Sequence, residues 1–275
     1  MTIQRDPSGR LNIESPLMGE SLMDKSLLAR TDTGPIHRLM PDLVVVKVGG
    51  QSIIDRGRVA LLPILDELVE ARKIHKILIA TGGGTRARHA YAIASDLGMP
   101  TGVLAKLGSS ISEQNALMVA ILLSQRGGIK IAHDDLAKLP NYMMPGILPV
   151  THAMPPYGLF ERPPALGRIP PHRTDVGAFL LAEVMGAARC IFIKDEQGLS
   201  TADPKKDANA KFIPEIELDE LVALDLNDLA IERSLLESLK TARSVREVLI
   251  INGLVRNNIR RAMDGEHIGT RIYKA

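Results

Sequence analysis

The chain has 275 residues, of which 45% are hydrophobic and 24% are charged, and its formal net charge is +2. This length fits one large domain or two small ones, and this composition excludes collagen, a coiled coil and a wholly disordered chain. Aromatic residues make up only 3% and Trp is absent, which disfavours a surface that stacks nucleic-acid bases. Because there is no basic excess either, we expect no nucleic-acid partner.

Cysteine usage and hydropathy predict the compartment. Cys190 is the only cysteine and cannot form an internal disulfide, which is typical of a reducing compartment. No apolar run approaches the ~20 residues that cross a bilayer, and charges such as Arg5, Asp6 and Glu14 interrupt the N-terminal segment, unlike a signal peptide. We therefore expect a cytoplasmic protein without membrane association.

The periodicity of the chain changes near residue 42. Residues 1–41 lack helical or strand periodicity, and we interpret them as an extension that wraps the domain or makes oligomer contacts with a neighbouring subunit. Over residues 42–275, short apolar runs alternate with amphipathic stretches, which predicts one domain of βαβ units around a mostly parallel sheet. The runs predicted as interior strands are LVVVKV, KILIA, IKIA, ILPV, CIFIK and VLIIN, beginning at residues 43, 76, 129, 147, 190 and 248.

Two helices are predicted between the early strands. Residues 58–73 place several leucines at helical spacing on one face. Ser110 and Glu113 have the spacing of a capping box, so a second helix is expected to begin there and to stop at the glycines of positions 127 and 128.

A long irregular segment, Met154–Arg173, contains six prolines and two glycines. Loops this long and stiff are uncommon unless they line a site or an interface. Directly after it, Thr174 or Asp175 is expected to cap a third helix. The inner face of that helix is predicted to carry Val176, Phe179, Leu180 and Val184.

Glycine turns follow the first two predicted strands. Backbone N–H groups at glycines can approach an anion closely, while lysine and arginine add positive charge. Because parallel strands end at one edge of a sheet, the two turns together predict a phosphate-binding pocket, although each alone would fit a plain turn. The residues concerned are Lys47, Gly49 and Gly50 in the first turn, and Gly82, Gly83, Gly84, Arg86 and Arg88 in the second.

Two further segments carry charged groups. Asp175 either caps its helix or, in a phosphate site, orients a lysine or binds magnesium. A polar turn follows the fifth predicted strand, and it either surrounds a nucleotide or merely ends the strand. Its candidate residues are Lys194, Asp195, Gly198, Asp203 and Pro204.

The order of these motifs carries a family resemblance. Seven motifs between Leu43 and Ile272 resemble those of the amino acid kinase superfamily. They are VVKVGG, TGGG, TDVGAFLLAE, IKDEQGLSTADP, AKFIPEIELDE, VLIINGL and GEHIGTRI. Four further segments resemble a metal-storage branch of this superfamily, and they are nearer to its beta-type than to its alpha-type chain. They are GGQSIIDRGR, MPPYGLFERP, IPPHRTD and NGLVRNNIRRAMDGEHIGT. The resemblance implies a three-layer α/β/α sandwich with a mostly parallel central sheet. It also implies a hexameric cage, homo-oligomeric or shared with an alpha-type partner, that uses ATP and Mg²⁺ to store molybdate or tungstate as polyoxometalate clusters.

The resemblance also implies roles for single residues. The first glycine turn would hold the terminal phosphate and the second would line the facing anion pocket, while Asp195, Gly198, Asp203 and Pro204 would surround the nucleotide. Lys47, Asp175 and Lys194 would be the catalytic residues. Gln197 and Ser200 stand where the superfamily usually has Asp and Tyr, which predicts altered nucleotide affinity or base preference.

Histidines are candidate ligands for metal oxyanions because imidazole suits such ligands. His89 follows the second glycine turn, and His133 and His152 each follow a predicted strand; surface or loop positions are the alternative. No His or Cys spacing resembles a zinc site. In alpha-type chains the stretch after PPY is His-rich, but here it reads GLFERP, so this chain either relies on a partner or holds its clusters differently.

Three functions remain open at this point. The first is ATP-dependent storage of molybdenum or tungsten, and the second is phosphoryl transfer to a small molecule, as in uridylate kinases. The third is a catalytically silent subunit that needs a partner. The sequence leaves undecided whether this chain hydrolyses ATP.

Overall fold

The computed structural model describes residues 3–5, 7–9, 11–13, 25–31, 34–144, 146–204 and 206–275. The chain divides into two compact units, residues 1–37 and 38–275. In the first unit, β1 (Ile3–Arg5) pairs antiparallel with β2 (Leu11–Ile13), and α1 spans Lys25–Arg30. Much of the predicted extension, including Pro16 and Gly19, lies outside the described residues, and its oligomer contacts stay a prediction.

The second unit is built on a sheet with eight strands among its described residues. All six predicted strands belong to it and run parallel, whereas β12 runs antiparallel to β11 and carries β10 beside it. A separate antiparallel pair joins β8 (Leu199–Ser200) to β9 (Phe212–Ile213). In spatial order the large sheet is β10 (Glu215–Glu217), β12 (Thr270–Tyr273), β11 (Glu247–Asn252), β7 (Arg189–Lys194), β3 (Leu43–Val48), β4 (Lys76–Thr81), β6 (Leu148–His152) and β5 (Gly128–Lys130).

Helices cover both faces of this sheet. Successive strand residues face opposite layers, so Val45 packs in one core with Phe179, while Val46 packs in a second with Leu65 and Val119. The predicted three-layer α/β/α sandwich with a mostly parallel sheet is confirmed. None of the helices in the described ranges is long and apolar enough to cross a membrane. The α-helices of the second unit are α2 (Arg58–Ala71), α3 (Gly84–Asp96), α4 (Thr101–Leu122), α5 (Leu139–Met143), α6 (Thr174–Met185), α7 (Leu218–Leu224), α8 (Arg233–Thr241) and α9 (Asn258–Met263).

Two helix predictions were wrong in detail. α4 begins at Thr101 rather than at Ser110, whose hydroxyl instead donates to the carbonyl of Lys106 at 3.1 Å inside the helix. Burial of Leu104 extends the helix toward its N-terminus, and packing of this kind outweighs a capping pattern. On α6, Val184 is 61% exposed rather than on the inner face.

Candidate functional site

A cleft with a volume of about 980 Å³ lies at the carboxyl ends of the central strands β3, β4 and β7. Ligand sites of open α/β sheets occupy this edge. The segments predicted to bind a nucleotide therefore converge in one place. The predicted residues that line the cleft are Lys47, Gly49, Gly50, Gly82, Gly83, Gly84, Arg88, Asp175, Lys194, Asp195, Gly198, Asp203 and Pro204.

The two glycine turns touch each other. β3 and β4 pair in parallel with Val48 opposite Thr81, which places the turns side by side. A Cβ atom added to Gly50 would lie 2.1 Å from the backbone nitrogen of Gly84. Only residues without side chains permit this backbone approach, so these glycines serve a purpose beyond ending a strand.

Asp55 connects the two turns and was not singled out from the sequence. It lies in a 3₁₀ turn, Ile54–Arg56, that follows the first glycine turn. Its Oδ2 accepts a hydrogen bond from the backbone N–H of Thr85 at 2.6 Å, in the first turn of α3. A carboxylate is favourable at this positive end of a helix.

A buried charge cluster lies beside the glycine turns. The Nζ atom of Lys47 lies 2.6 Å from Oδ1 of Asp175, and that of Lys194 lies 3.3 Å from both carboxylate oxygens. Burial favours the neutral form of Asp175, but the charges of Lys194 and Lys47 outweigh it and hold the pKa of the carboxyl well below its ordinary value. Burial lowers the pKa of the Lys194 ammonium, and Asp175 opposes that effect. The cluster therefore holds two amines on one ionised carboxylate.

Glu232 caps α6, where the sequence had predicted Thr174 or Asp175 as the cap. No side chain of α6 or of the residue before it caps the helix. The carboxylate of Glu232 instead accepts from the backbone N–H groups of Arg173, Asp175 and Val176, at 3.0, 3.2 and 3.2 Å. The predicted cap was wrong because Asp175 points to the lysines, which offer a charged partner. Burial, followed by the nearby Asp175 charge, raises the pKa of Glu232.

The turn after β7 also lines the cleft. Asp195 forms an ion pair with Arg56, and Asp203 forms one with Lys206 at 2.9 Å. A Cβ atom added to Gly198 would lie 2.2 Å from Oγ1 of Thr270. This turn is thus held against the sheet with its polar groups along the cleft.

Comparison with known proteins places the fold. A model of the amino acid kinase family matches residues 42–252. The chain belongs to the amino acid kinase family. It is 50% identical over 260 residues to the molybdenum storage protein subunit beta of Azotobacter vinelandii, covering 94% of this chain and 96% of that one. It is 24% identical over 237 residues to the uridylate kinase of Methanobrevibacter smithii, covering 83% and 98% of the two chains.

Two solved kinase structures have the same fold as this chain. The uridylate kinase of Archaeoglobus fulgidus superimposes with a TM-score of 0.64 over 83% of this chain and 99% of that one, at 22% identity. The UMP kinase of Bacillus anthracis gives a TM-score of 0.63 over 85% and 96%. These likenesses concern the arrangement of the backbone.

The structure places Ser200 and Gln197, for which the resemblance predicted altered nucleotide affinity or base preference. Ser200 lines the cleft. Gln197 is exposed and does not belong to the lining. The effect of either residue on nucleotide preference stays a prediction.

Arg86 lies behind the second glycine turn rather than in the cleft. Its guanidinium donates to the side-chain oxygens of Gln114, at 3.1 Å, and Asn115. The amide of Asn115 donates in turn to the carbonyl of Gly82 at 2.6 Å. Arg86 therefore supports the turn from outside, and only Arg88 of the predicted arginine pair lines the cleft.

The three candidate histidine ligands also lie outside the cleft lining. His89 is exposed. The rings of His133 and His152 contact each other with their centroids 3.9 Å apart and their planes tilted by 38°, and Nε2 of His133 donates to the backbone carbonyl of His152 at 2.9 Å. Within the described part of the chain, no three or more His, Cys, Asp or Glu side chains form a group that could hold a metal ion.

The proline-rich segment 154–173 borders the cleft, as its composition predicted. Met154, Ile169 and Arg173 contribute to the lining. The segment is anchored by buried Glu161, whose Oε1 lies 2.8 Å from Nδ1 of His172. Its tip faces outward, with Phe160 94% exposed.

Proposed function

We propose that this chain binds and hydrolyses ATP and that it uses the reaction to accumulate molybdate or tungstate as polyoxometalate clusters inside a hexameric cage. The observation that carries the proposal is the joining of both glycine turns to the Lys47–Asp175–Lys194 cluster in one cleft. The 50% identity to a molybdenum storage protein subunit supports the choice of cargo. A cage of one chain type and a cage shared with an alpha-type chain both fit that relationship.

The cleft has the chemistry that a triphosphate requires. Phosphoryl transfer depends on positioned positive charge more than on a covalent nucleophile. Lys47 and Lys194 would neutralise the terminal phosphate, backbone N–H groups of the glycine turns would bind its oxygens, and Asp175 would orient both amines. A water molecule would then attack the γ-phosphorus as its bond to ADP breaks, which releases ADP and phosphate. The nucleoside would lie along the turn after β7.

Magnesium fits the same cleft through its carboxylates. Mg²⁺ in nucleotide sites is held by phosphates, waters and one or two carboxylates, so it needs no cage of protein ligands. Asp175, Glu196 and Asp203 line the cleft and supply carboxylates of this kind. When bound, the ion would neutralise charge that develops on the transferred phosphoryl group.

The clusters require ligands beyond the nucleotide cleft. His89, His133 and His152 remain the proposed ligands on this chain, and each lies outside the cleft lining. Polyoxometalates carry several negative charges, and imidazole N–H groups and lysines can bind them. Cluster formation would therefore take place on surfaces enclosed by the assembly rather than at the site of hydrolysis.

The proposal is tested by loading the purified assembly. The protein is incubated with molybdate or tungstate, with Mg·ATP, with a non-hydrolysable ATP analogue, or without nucleotide, and metal per chain is measured by elemental analysis. Several metal atoms per chain are expected in the sample with Mg·ATP, and not in the samples with the analogue or without nucleotide. Less than one atom per chain in every case would reject storage.

A kinase is the second candidate, since the chain covers 98% of a uridylate kinase at 24% identity. Formation of a phosphorylated product from ATP and UMP would favour it over storage. Hydrolysis of ATP without any acceptor would count against it. A purified chain that neither binds ATP nor assembles alone would instead indicate a silent subunit.

A further inference from the structure

We infer that Glu232 is a positioning residue, which fixes Asp175 between Lys47 and Lys194. This inference rests on the proposed ATP reaction. Glu232 itself lines the cleft, but its carboxylate is engaged by backbone N–H groups at the start of α6. It acts through the backbone of α6 and hence through Asp175.

Glu232 reaches α6 from a distant part of the chain. Glu232 directly precedes α8, is 8% exposed, and lies 57 residues from Asp175 in the chain. Its carboxylate accepts backbone hydrogen bonds at the start of α6 from Arg173, Asp175 and Val176. An oxygen of the same carboxylate lies 3.6 Å from Nε of Arg173, which lines the cleft. The first turn of α6 is therefore held by one buried side chain.

This arrangement sets the position of Asp175. The first N–H groups of a helix have no intrahelical partner, and a buried N–H without a partner is destabilising. Because Glu232 bonds these groups, the start of α6 is fixed, and so is the point from which Asp175 reaches both lysines. A misplacement of ~1 Å in such a cluster can reduce the rate about 100-fold.

The segment before Glu232 also borders the cleft. Leu229, Ala230 and Ile231 line the cleft and immediately precede Glu232 in the chain. A nucleotide that contacts this segment would therefore touch the residues directly before the one that caps α6.

Ser234 offers a matched control. It lies in the first turn of α8, is 9% exposed, and donates its hydroxyl to the carbonyl of Pro171, so it ties the same helix to the segment before α6. Unlike Glu232, it forms no hydrogen bond to the N–H groups of α6. Ser234→Ala therefore weakens the packing of α8 while it leaves the cap in place.

The experiment compares Glu232→Gln, Glu232→Asp and Ser234→Ala in the assembled protein. ATP hydrolysis at saturating Mg·ATP, ADP affinity by calorimetry, and the melting temperature are measured for each. For Glu232→Gln we expect kcat to fall about 10- to 100-fold while the Kd for ADP changes less than about threefold, because the turn after β7, which is proposed to bind the nucleoside, is unchanged. Glu232→Asp, which keeps the carboxylate, should recover part of kcat, and Ser234→Ala should lose stability only.

A double-mutant cycle tests whether Glu232 acts through Asp175. In an Asp175→Asn background, Glu232→Gln should lower kcat no further, since residues that act as a unit are not additive. Additive losses would overturn the positioning role, as would a kcat for Glu232→Gln that matches the wild type. If Glu232→Gln does not fold, the same cycle with Glu232→Asp decides. Absence of ATP hydrolysis in the wild type would overturn the proposed function and this role together.

Discussion

Lys47 supplies one of the two amines that contact Asp175 in the site. It is 4% exposed at the end of the central strand β3, and its ammonium lies 2.6 Å from Asp175. A buried amine at the edge of two glycine turns is well placed to meet a terminal phosphate, since electrostatic stabilisation strengthens where water is excluded.

Substitution of Lys47 should separate chemistry from assembly. Lys47→Ala is expected to lower ATP-dependent metal loading about 100-fold or more, the range seen when a single electrostatic donor is removed, without a change in oligomeric state. Lys76→Ala is the control, because Lys76 is exposed at the other end of the sheet and pairs with Asp42 at 2.7 Å. Metal analysis and light scattering measure the two effects. Unchanged loading in Lys47→Ala would remove this residue from the proposed role.

His152 should make stability depend on pH. Burial, together with the neighbouring His133, lowers its pKa from 6.5 to about 4, although Glu113 opposes this and Lys130 and Lys106 reinforce it. Nδ1 of His152 is buried and has no hydrogen-bond partner among the described residues.

The sign of the effect follows from proton binding. Between pH ~6.5 and ~4 the unfolded imidazole binds a proton that the folded one refuses, so the free energy of unfolding falls as pH drops through this range, by on the order of 1–3 kcal/mol. Denaturant titrations at pH 7.5 and 4.5 measure the free energy of unfolding at each pH. The His152→Gln protein should lose less of this free energy between the two pH values than the wild type. An equal loss in the two proteins would mean that His152 is protonated in the folded state.

Site residues that belong to a local sequence pattern could be predicted from the sequence, and those marked only by a distant contact could not. Lys47 and both glycine turns were predicted because each turn is a local pattern directly after an apolar run. Asp55 and Glu232 were missed because their partners lie 30 and 56–59 residues away. An isolated carboxylate carries no signal of such a contact. The alternation of apolar runs predicted which strands share an edge, but not which side chain would reach across it.

At the scale of elements, the close contact between the two glycine turns leaves no room for an added side chain. Gly50→Ala would place a methyl group 2.1 Å from the backbone of Gly84, so one turn must move. We expect a loss of about 2–4 kcal/mol in stability and loss of measurable ATP binding in calorimetry.

Gly167→Ala is the control for that substitution. Gly167 has a φ of +72°, a positive value that Gly50 does not share, but an added methyl group there meets nothing within 4 Å. It should cost about 1 kcal/mol and leave ATP binding unchanged. Normal ATP binding by Gly50→Ala would show that the two turns do not act as one site.

Elements were predicted well where burial was continuous. β3 is buried at every position, and such runs are typical of interior strands. β10 and β12 were not predicted as strands because they have only three and four residues and give little periodic signal. The start of α4 was missed because a capping pattern at Ser110 is weaker than the burial of the preceding turn.

At the scale of the whole molecule, the outer tip of the proline-rich segment carries two large apolar side chains that are almost fully exposed. Phe160 is 94% exposed and Leu166 is 93% exposed. Exposed apolar groups of this size commonly mark interaction surfaces. The proposed cage would cover them, although the sequence predicted only that this segment lines a site or an interface.

Charge at this tip should weaken the assembly. Phe160→Glu combined with Leu166→Glu is expected to shift the protein from a hexamer to smaller species in light scattering, with little change in melting temperature of the separated chains. Val59→Glu is the control, since Val59 on α2 is 79% exposed and distant in sequence from the loop. A hexamer that persists in the double variant would place the subunit contacts elsewhere.

The most direct measurement is a crystal structure of the protein with Mg²⁺ and a non-hydrolysable ATP analogue. The account predicts the triphosphate between the two glycine turns, with its terminal phosphate within hydrogen-bond distance of the amines of Lys47 and Lys194. A nucleotide bound anywhere else, or a cleft that stays without nucleotide at saturating concentration, would contradict it.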